Sequence, residues 1–131
     1  MDLSTIKILV VDDSSTMRMI IRKELKSIGV NFEEAADGEI AWNRLCEQPN
    51  EFKVVLSDVN MPNMNGIELL RKIRSDHRFN GLPVVMLTSE TEESIVKAAH
   101  ELGITGYLNK PLKTPELVKV LARMMVKAAA I

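Results

Sequence analysis

The chain has 131 residues, 46% of them apolar, with 17 basic and 18 acidic side chains and a net charge of −1. That length suits one domain, the balanced charge excludes a broad basic nucleic-acid surface, and the apolar content excludes disorder. No apolar run approaches a membrane span, Met1-Asp2-Leu3-Ser4-Thr5 is not a signal peptide, and a single Cys46 excludes an internal disulfide and suits the cytoplasm.

In chain order, the first element is the apolar run Lys7-Ile8-Leu9-Val10-Val11, a strand that ends in Asp12-Asp13. Ser14 or Ser15 can cap the helix that follows, where Met17, Ile20, Ile21, Leu25 and Ile28 recur at helical spacing and Gly29 is a stop. Phe32 to Ala36 is the weakest strand, interrupted by Glu33 and Glu34. Asp37-Gly38 turns the chain into a second helix with Ala41, Trp42 and Leu45 on one face, ended by Pro49-Asn50.

Val54-Val55-Leu56 is a buried strand that runs into Ser57-Asp58, and the breakers Asn60, Pro62, Asn63, Asn65 and Gly66 follow. A third helix carries Ile67, Leu70, Ile73 and Arg74, and His77 to Leu82 reads as a polar loop. Pro83-Val84-Val85-Met86-Leu87 is a strand ending in Thr88-Ser89. Helix four holds Ile95, Val96, Ala99 and Leu102 and stops at Gly103. The short strand Thr105-Gly106-Tyr107-Leu108-Asn109 ends in Lys110-Pro111. Thr114 is the expected cap of helix five, with Pro115 at its first position and Leu117, Val120, Leu121 and Met124 as its buried face.

Strand and helix alternate throughout, which predicts an α/β fold: a parallel sheet covered on both faces. In such sheets ligands bind outside the carboxyl ends of the strands. Parallel strands would bring Asp12, Asp13, Asp58, Thr88 and Lys110 to one edge. Three carboxylates in a small site raise one another's pKa, and a hard divalent cation relieves that repulsion. Each group also has an ordinary structural use. An Asp can start a turn or cap a helix, Lys is a common surface residue, and Thr is a common strand residue.

Asp12-Asp13, Asp58, Thr88 and Lys110-Pro111, each at a strand end, resemble the response-regulator receiver domains of two-component signalling. Asn60-Met61-Pro62-Asn63-Met64-Asn65-Gly66, and Ser15-Thr16-Met17-Arg18 after the acid pair, are most similar to the single-domain chemotaxis type. The resemblance implies a doubly wound sheet of five parallel strands with five helices, in the flavodoxin-like order 2-1-3-4-5. It also implies one receiver domain over residues 1–131, without an effector domain.

The resemblance further implies that Asp58 accepts a phosphoryl group from a sensor histidine kinase. Mg²⁺ is then held by Asp13, Asp58 and the Asn60 backbone carbonyl, with Asp12 acting through a metal-bound water. Lys110 would reach the phosphoryl oxygens, before a cis Lys110–Pro111 bond. Thr88 and Tyr107 would form the switch, and Asn60 and Glu90 would tune the lifetime of the phosphoryl group. The implied output is control of partner binding by the helix 4–strand 5–helix 5 face, by a cytoplasmic monomer that is a signalling phosphoacceptor rather than an enzyme. The implied targets are a flagellar motor switch protein or a phosphatase. A phosphate sink or phosphorelay intermediate is the alternative.

Other classes fit less well. A haloacid-dehalogenase-type phosphatase with an aspartyl intermediate needs acids one residue apart at the first strand end, whereas Asp12 and Asp13 are adjacent. A flavin module needs a Gly-rich phosphate loop, which Ser14-Ser15-Thr16-Met17 is not. Glu92 and Glu93 open helix four with acids where the chemotaxis relatives are basic, a departure at a partner-facing position. His77 and His100 are expected to be solvated, and Trp42, Cys46 and most of the Met residues to be structural, with Met124 and Met125 near a partner surface.

Overall fold

Three strands are almost wholly buried: β1 (Lys7–Val11), β3 (Val54–Ser57) and β4 (Val84–Thr88). Their continuous apolar runs suit a sheet covered on both faces. They appear in a computed structural model that describes residues 5–88, 93–110 and 112–129, with 124–129 described by backbone alone. The edge strands are β2 (Asn31–Ala35) and β5 (Gly106–Asn109). All pairings are parallel and the order is β2-β1-β3-β4-β5, as the resemblance implied. The helices are α1 (Ser15–Ser27), α2 (Gly38–Glu47), α3 (Gly66–Ser75), α4 (Glu93–Glu101) and α5 (Thr114–Ala129). Among the described residues no helix is long and apolar enough to cross a membrane.

Strand side chains alternate between faces, so each strand feeds two cores. Leu9, Val11, Val55 and Met86 pack with Leu45, Leu70 and Ile73 on the α2–α3–α4 side. Ile8, Val10, Leu56, Val85 and Leu87 pack with Ile21, Leu25, Leu117 and Leu121 on the α1–α5 side. Truncating one such Leu to Ala costs about 2–5 kcal/mol.

The ends of the helices follow local chemistry. Ser14 caps α1 by accepting from the Met17 amide at 3.1 Å. Asn65 and Glu68 form a reciprocal capping box at α3. Gly29, at φ 77°, follows α1 in the left-handed region.

Four expectations need correction. Ile20 does not join the buried stripe of α1: it is 40% exposed, because Ile21 and Leu25, four residues apart, define that stripe. The acids of β2 do not break it, because it lies at an edge. There Glu33 pairs with Lys7 and Arg44, and Glu34 with Arg18 and Arg22. Residues 77–82 are not simply a polar loop. His77–Phe79 forms a 3₁₀ turn capped by Asp76, which buries Phe79 edge-on against half-buried Trp42, ring centroids 5.6 Å apart. Finally, α5 begins at Thr114, with the Lys113 carbonyl accepting from the Leu117 amide. The Thr114 hydroxyl donates to Glu24 of α1 instead of capping its own helix.

Candidate functional site

The parallel ladder brings the acids together. Asp58 follows the last residue of β3, and its N–H donates to the Val11 carbonyl of β1 at 2.8 Å. Asp12 follows Val11, and its N–H donates to the Ala35 carbonyl of β2 at 3.1 Å. Carboxylate oxygens of Asp12, Asp13 and Asp58 consequently lie within 4.8 Å of one another. Asp12 and Asp58 are buried, and Asp13 is exposed.

Lys110 closes the group from the far side. Its N–H donates to the Thr88 carbonyl at 3.0 Å, which fixes the end of β5 against the end of β4. Its ammonium nitrogen lies 3.1 Å from Asp12 Oδ2 and 3.3 Å from Asp58 Oδ2. The other carboxylate oxygens of Asp12 and Asp58 also have partners. Asp12 Oδ1 accepts from the Ser14 amide at 2.9 Å, and Asp58 Oδ1 from the Val59 amide at 2.8 Å. Arg18 donates to the Asp12 carbonyl at 2.6 Å.

Burial is the largest influence on the Asp58 carboxyl and pushes it above the usual range. Lys110 opposes that shift, and the neighbouring Asp12 charge adds to it. Burial also works against the Lys110 ammonium, but its hydrogen bond to Asp12 and the charges of Asp12 and Asp58 outweigh it, so its pKa rises. Among the described ion pairs, one ammonium group thus stands against two of the three clustered carboxylates. The donor set is hard oxygen with surplus negative charge, which fits a divalent cation such as Mg²⁺.

The loop after Asp58 is held by close backbone contacts. The Ser57 hydroxyl donates to the Asp58 carbonyl at 2.8 Å, and the Gly66 N–H to the Val59 carbonyl at 2.8 Å. Asn63 takes φ 64°, a conformation that Asn tolerates better than most residues. Its amide donates to Asp37 Oδ2 at 2.8 Å.

The structure therefore gathers Asp12, Asp13, Asp58 and Lys110. Thr88 ends β4 at the same edge and is buried. Asn60 is exposed on the β3–α3 loop. Tyr107 is half-buried in β5 opposite Met86 and packs on the α2–α3–α4 core. Glu90, Glu92 and Pro111 lie outside the described residues, as do the side chains of Met124 and Met125. Sequence reasoning missed Asp37, Asn63 and Ser57 as supports of this edge. The Asp37-Gly38 turn signal and the Asn-rich loop marked the positions but not the bond between them.

Comparison with known proteins agrees with this geometry. A family model described as the response regulator receiver domain matches residues 8–122. The chain is 44% identical over 114 residues to chemotaxis protein CheY1 of Helicobacter pylori, covering 86% of this chain and 90% of that protein. It is 41% identical to a chemotaxis protein CheY homolog of Campylobacter jejuni, covering 86% of each. Among solved structures, chemotaxis protein CheY4 of Vibrio cholerae superposes with a TM-score of 0.82 at 37% identity, over 92% of this chain and 98% of that one. On sequence, fold and the grouped strand-end residues alike, the chain belongs to the response regulator receiver domain family.

Proposed function

We propose that this chain is a response regulator that accepts a phosphoryl group on Asp58 from the phosphohistidine of a sensor kinase, with Mg²⁺. The observation that carries this reading is the Lys110 ammonium 3.3 Å from Asp58, beside three carboxylates clustered within 4.8 Å. A nucleophile, a cation site and a positioned positive charge are the parts that phosphoryl transfer requires.

Asp13, Asp58 and the Asn60 carbonyl would hold the metal, with Asp12 assisting. The ion, when bound, supplies charge neutralisation on the transferring oxygens. An Asp58 carboxylate oxygen attacks phosphorus. The new P–O bond forms as the P–N bond of the donor breaks, and the departing imidazole nitrogen keeps the electron pair and takes a proton. Lys110 then exchanges its contact with the carboxylate for one with a phosphoryl oxygen. Thr88 follows by presenting its hydroxyl, and Tyr107 repacks on the face formed by α4, β5 and α5. Asn60 and Glu90 act on the water that later cleaves the aspartyl-phosphate.

The output is a shift between two packings of that face, which changes partner affinity. The relatives' names, chemotaxis protein CheY1 and chemotaxis protein CheY homolog, support a role in chemotaxis. The target in this reading is a flagellar motor switch protein. In this reading the chain is a monomeric signalling phosphoacceptor of the cytoplasm rather than an enzyme acting on other substrates.

The test is transfer from an autophosphorylated histidine kinase, followed by calorimetric binding to a motor switch protein. Label should move to the wild type and not to Asp58→Asn, and should strengthen binding to the motor switch protein. Transfer without any gain in binding would favour a phosphate sink or relay instead.

A further inference from the structure

The acids of the candidate cation site come from two segments, the ends of β1 and β3. The corner between β2 and α2 is bonded to both. On one side the Ala35 carbonyl accepts from the Asp12 amide at 3.1 Å. On the other, the Gly38 amide donates to the Met64 carbonyl at 3.0 Å, and a Cβ on Gly38 would stand 2.5 Å from that oxygen. Between them Asp37, 7% exposed, divides its carboxylate. Oδ1 accepts from the Ile40 amide at 2.8 Å and caps α2, while Oδ2 accepts from the Asn63 side-chain amide at 2.8 Å.

A helix cap needs one oxygen. Ser would supply it, so capping accounts for Oδ1 alone. The second oxygen reaches 26 residues along the chain and holds Asn63 in its left-handed conformation. Asn63 lies in the loop that carries Asp58 and Asn60. Mg²⁺ demands near-octahedral placement of its ligands, so its affinity depends on how the two acid-bearing segments are set against one another. Loss of a group bonded directly to a metal ligand commonly costs about 10–100-fold in affinity, and a pair acting one step further out, through the loop, belongs at the low end of that range.

We propose that Asp37 and Asn63 are a positioning pair that sets the β3–α3 loop for divalent-cation binding by Asp12, Asp13 and Asp58. This rests on the cation site proposed above. The pair acts through the loop and neither residue touches the reacting atoms. It makes Mg²⁺ affinity sensitive to a bond at the β2–α2 corner.

The experiment is a double-mutant cycle on the unphosphorylated full chain, reading Mg²⁺ affinity by calorimetry and thermal midpoint separately. Asp37→Ser keeps the cap and is too short to reach Asn63. Asn63→Gly keeps access to the left-handed conformation and removes the amide. Each should weaken Mg²⁺ binding about tenfold, and the double variant no more than either single, because both remove one bond. Asp37→Asn should recover most of the affinity, since the Asn63 amide can turn over and accept from it. Unchanged Mg²⁺ affinity in both singles, or independent losses that multiply in the double variant, would overturn the pair while leaving the cation site intact. A wild type that binds no Mg²⁺ would overturn both. Should Asn63→Gly fail to fold, Asp37→Ser against Asp37→Asn decides the matter: equal Mg²⁺ affinity in these two contradicts the proposal.

Discussion

Gly66 and Asp58 approach so closely that a Cβ on Gly66 would stand 2.1 Å from the Asp58 carbonyl oxygen. Here glycine is required by close approach, since its φ is not in the left-handed region. Gly66→Ala must push the Asp58 backbone or the first turn of α3 aside. We expect a loss of about 1–3 kcal/mol in urea unfolding, together with slower phosphorylation by a small phosphodonor. Wild-type values of both would contradict the contact.

Lys110 is the only cation found against Asp12 and Asp58 among the described ion pairs. Lys110→Met keeps much of the side-chain volume and removes the charge. Phosphorylation by acetyl phosphate should slow about tenfold or more, because positive charge at the transferring oxygens is lost. Mg²⁺ should still bind the variant in calorimetry. A wild-type rate would remove Lys110 from the chemistry.

Thr88 is buried at the end of β4, and its carbonyl, not its side chain, holds the Lys110 amide. Thr88→Ala therefore leaves that bond in place. The variant should accept a phosphoryl group at close to the wild-type rate yet fail to strengthen partner binding, as read by calorimetry with phosphorylated protein. Full strengthening would exclude Thr88 from the switch.

Asp76 caps the 3₁₀ turn that delivers Phe79 to the core, and its side chain pairs with Arg78 at 2.7 Å. The Arg78 side chain, foremost, and the Arg78 amide hold its carboxyl down at about 2. A depressed folded-state pKa stabilises the fold above the unfolded value and loses that contribution as pH falls through the folded one. The stability gap between wild type and Asp76→Asn should be full above about pH 5 and shrink between about pH 4 and 2. Urea midpoints across that range check the sign. A gap that widens on acidification would contradict it.

The buried strands were legible because β1, β3 and β4 are covered on both faces and so read as unbroken apolar runs. Asp12, Asp58 and Lys110 were legible because each stands directly after its strand, where parallel packing forces convergence. Other features depend on contacts distant in sequence. Glu33 and Glu34 look like strand breakers until Lys7, Arg18, Arg22 and Arg44 stand beside them. Ile20 and Ile21 are equally apolar, and only the angle of α1 against the sheet separates them. Phe79 sits in a polar stretch, and its burial depends on Trp42 of another element. The Asp37–Asn63 bond joins two turn residues whose local signals were already explained by turns.

Asp58 as a phosphoacceptor in a Mg²⁺-dependent site can be tested on the intact protein. The most direct measurement is intact mass after exposure to acetyl phosphate, with and without Mg²⁺, for the wild type and Asp58→Asn. The wild type should gain one phosphoryl group, stable to acid and labile to base, that requires Mg²⁺ and is absent from Asp58→Asn. A folded wild type that gains no mass with Mg²⁺ present, or an Asp58→Asn variant that gains the same mass, would contradict it.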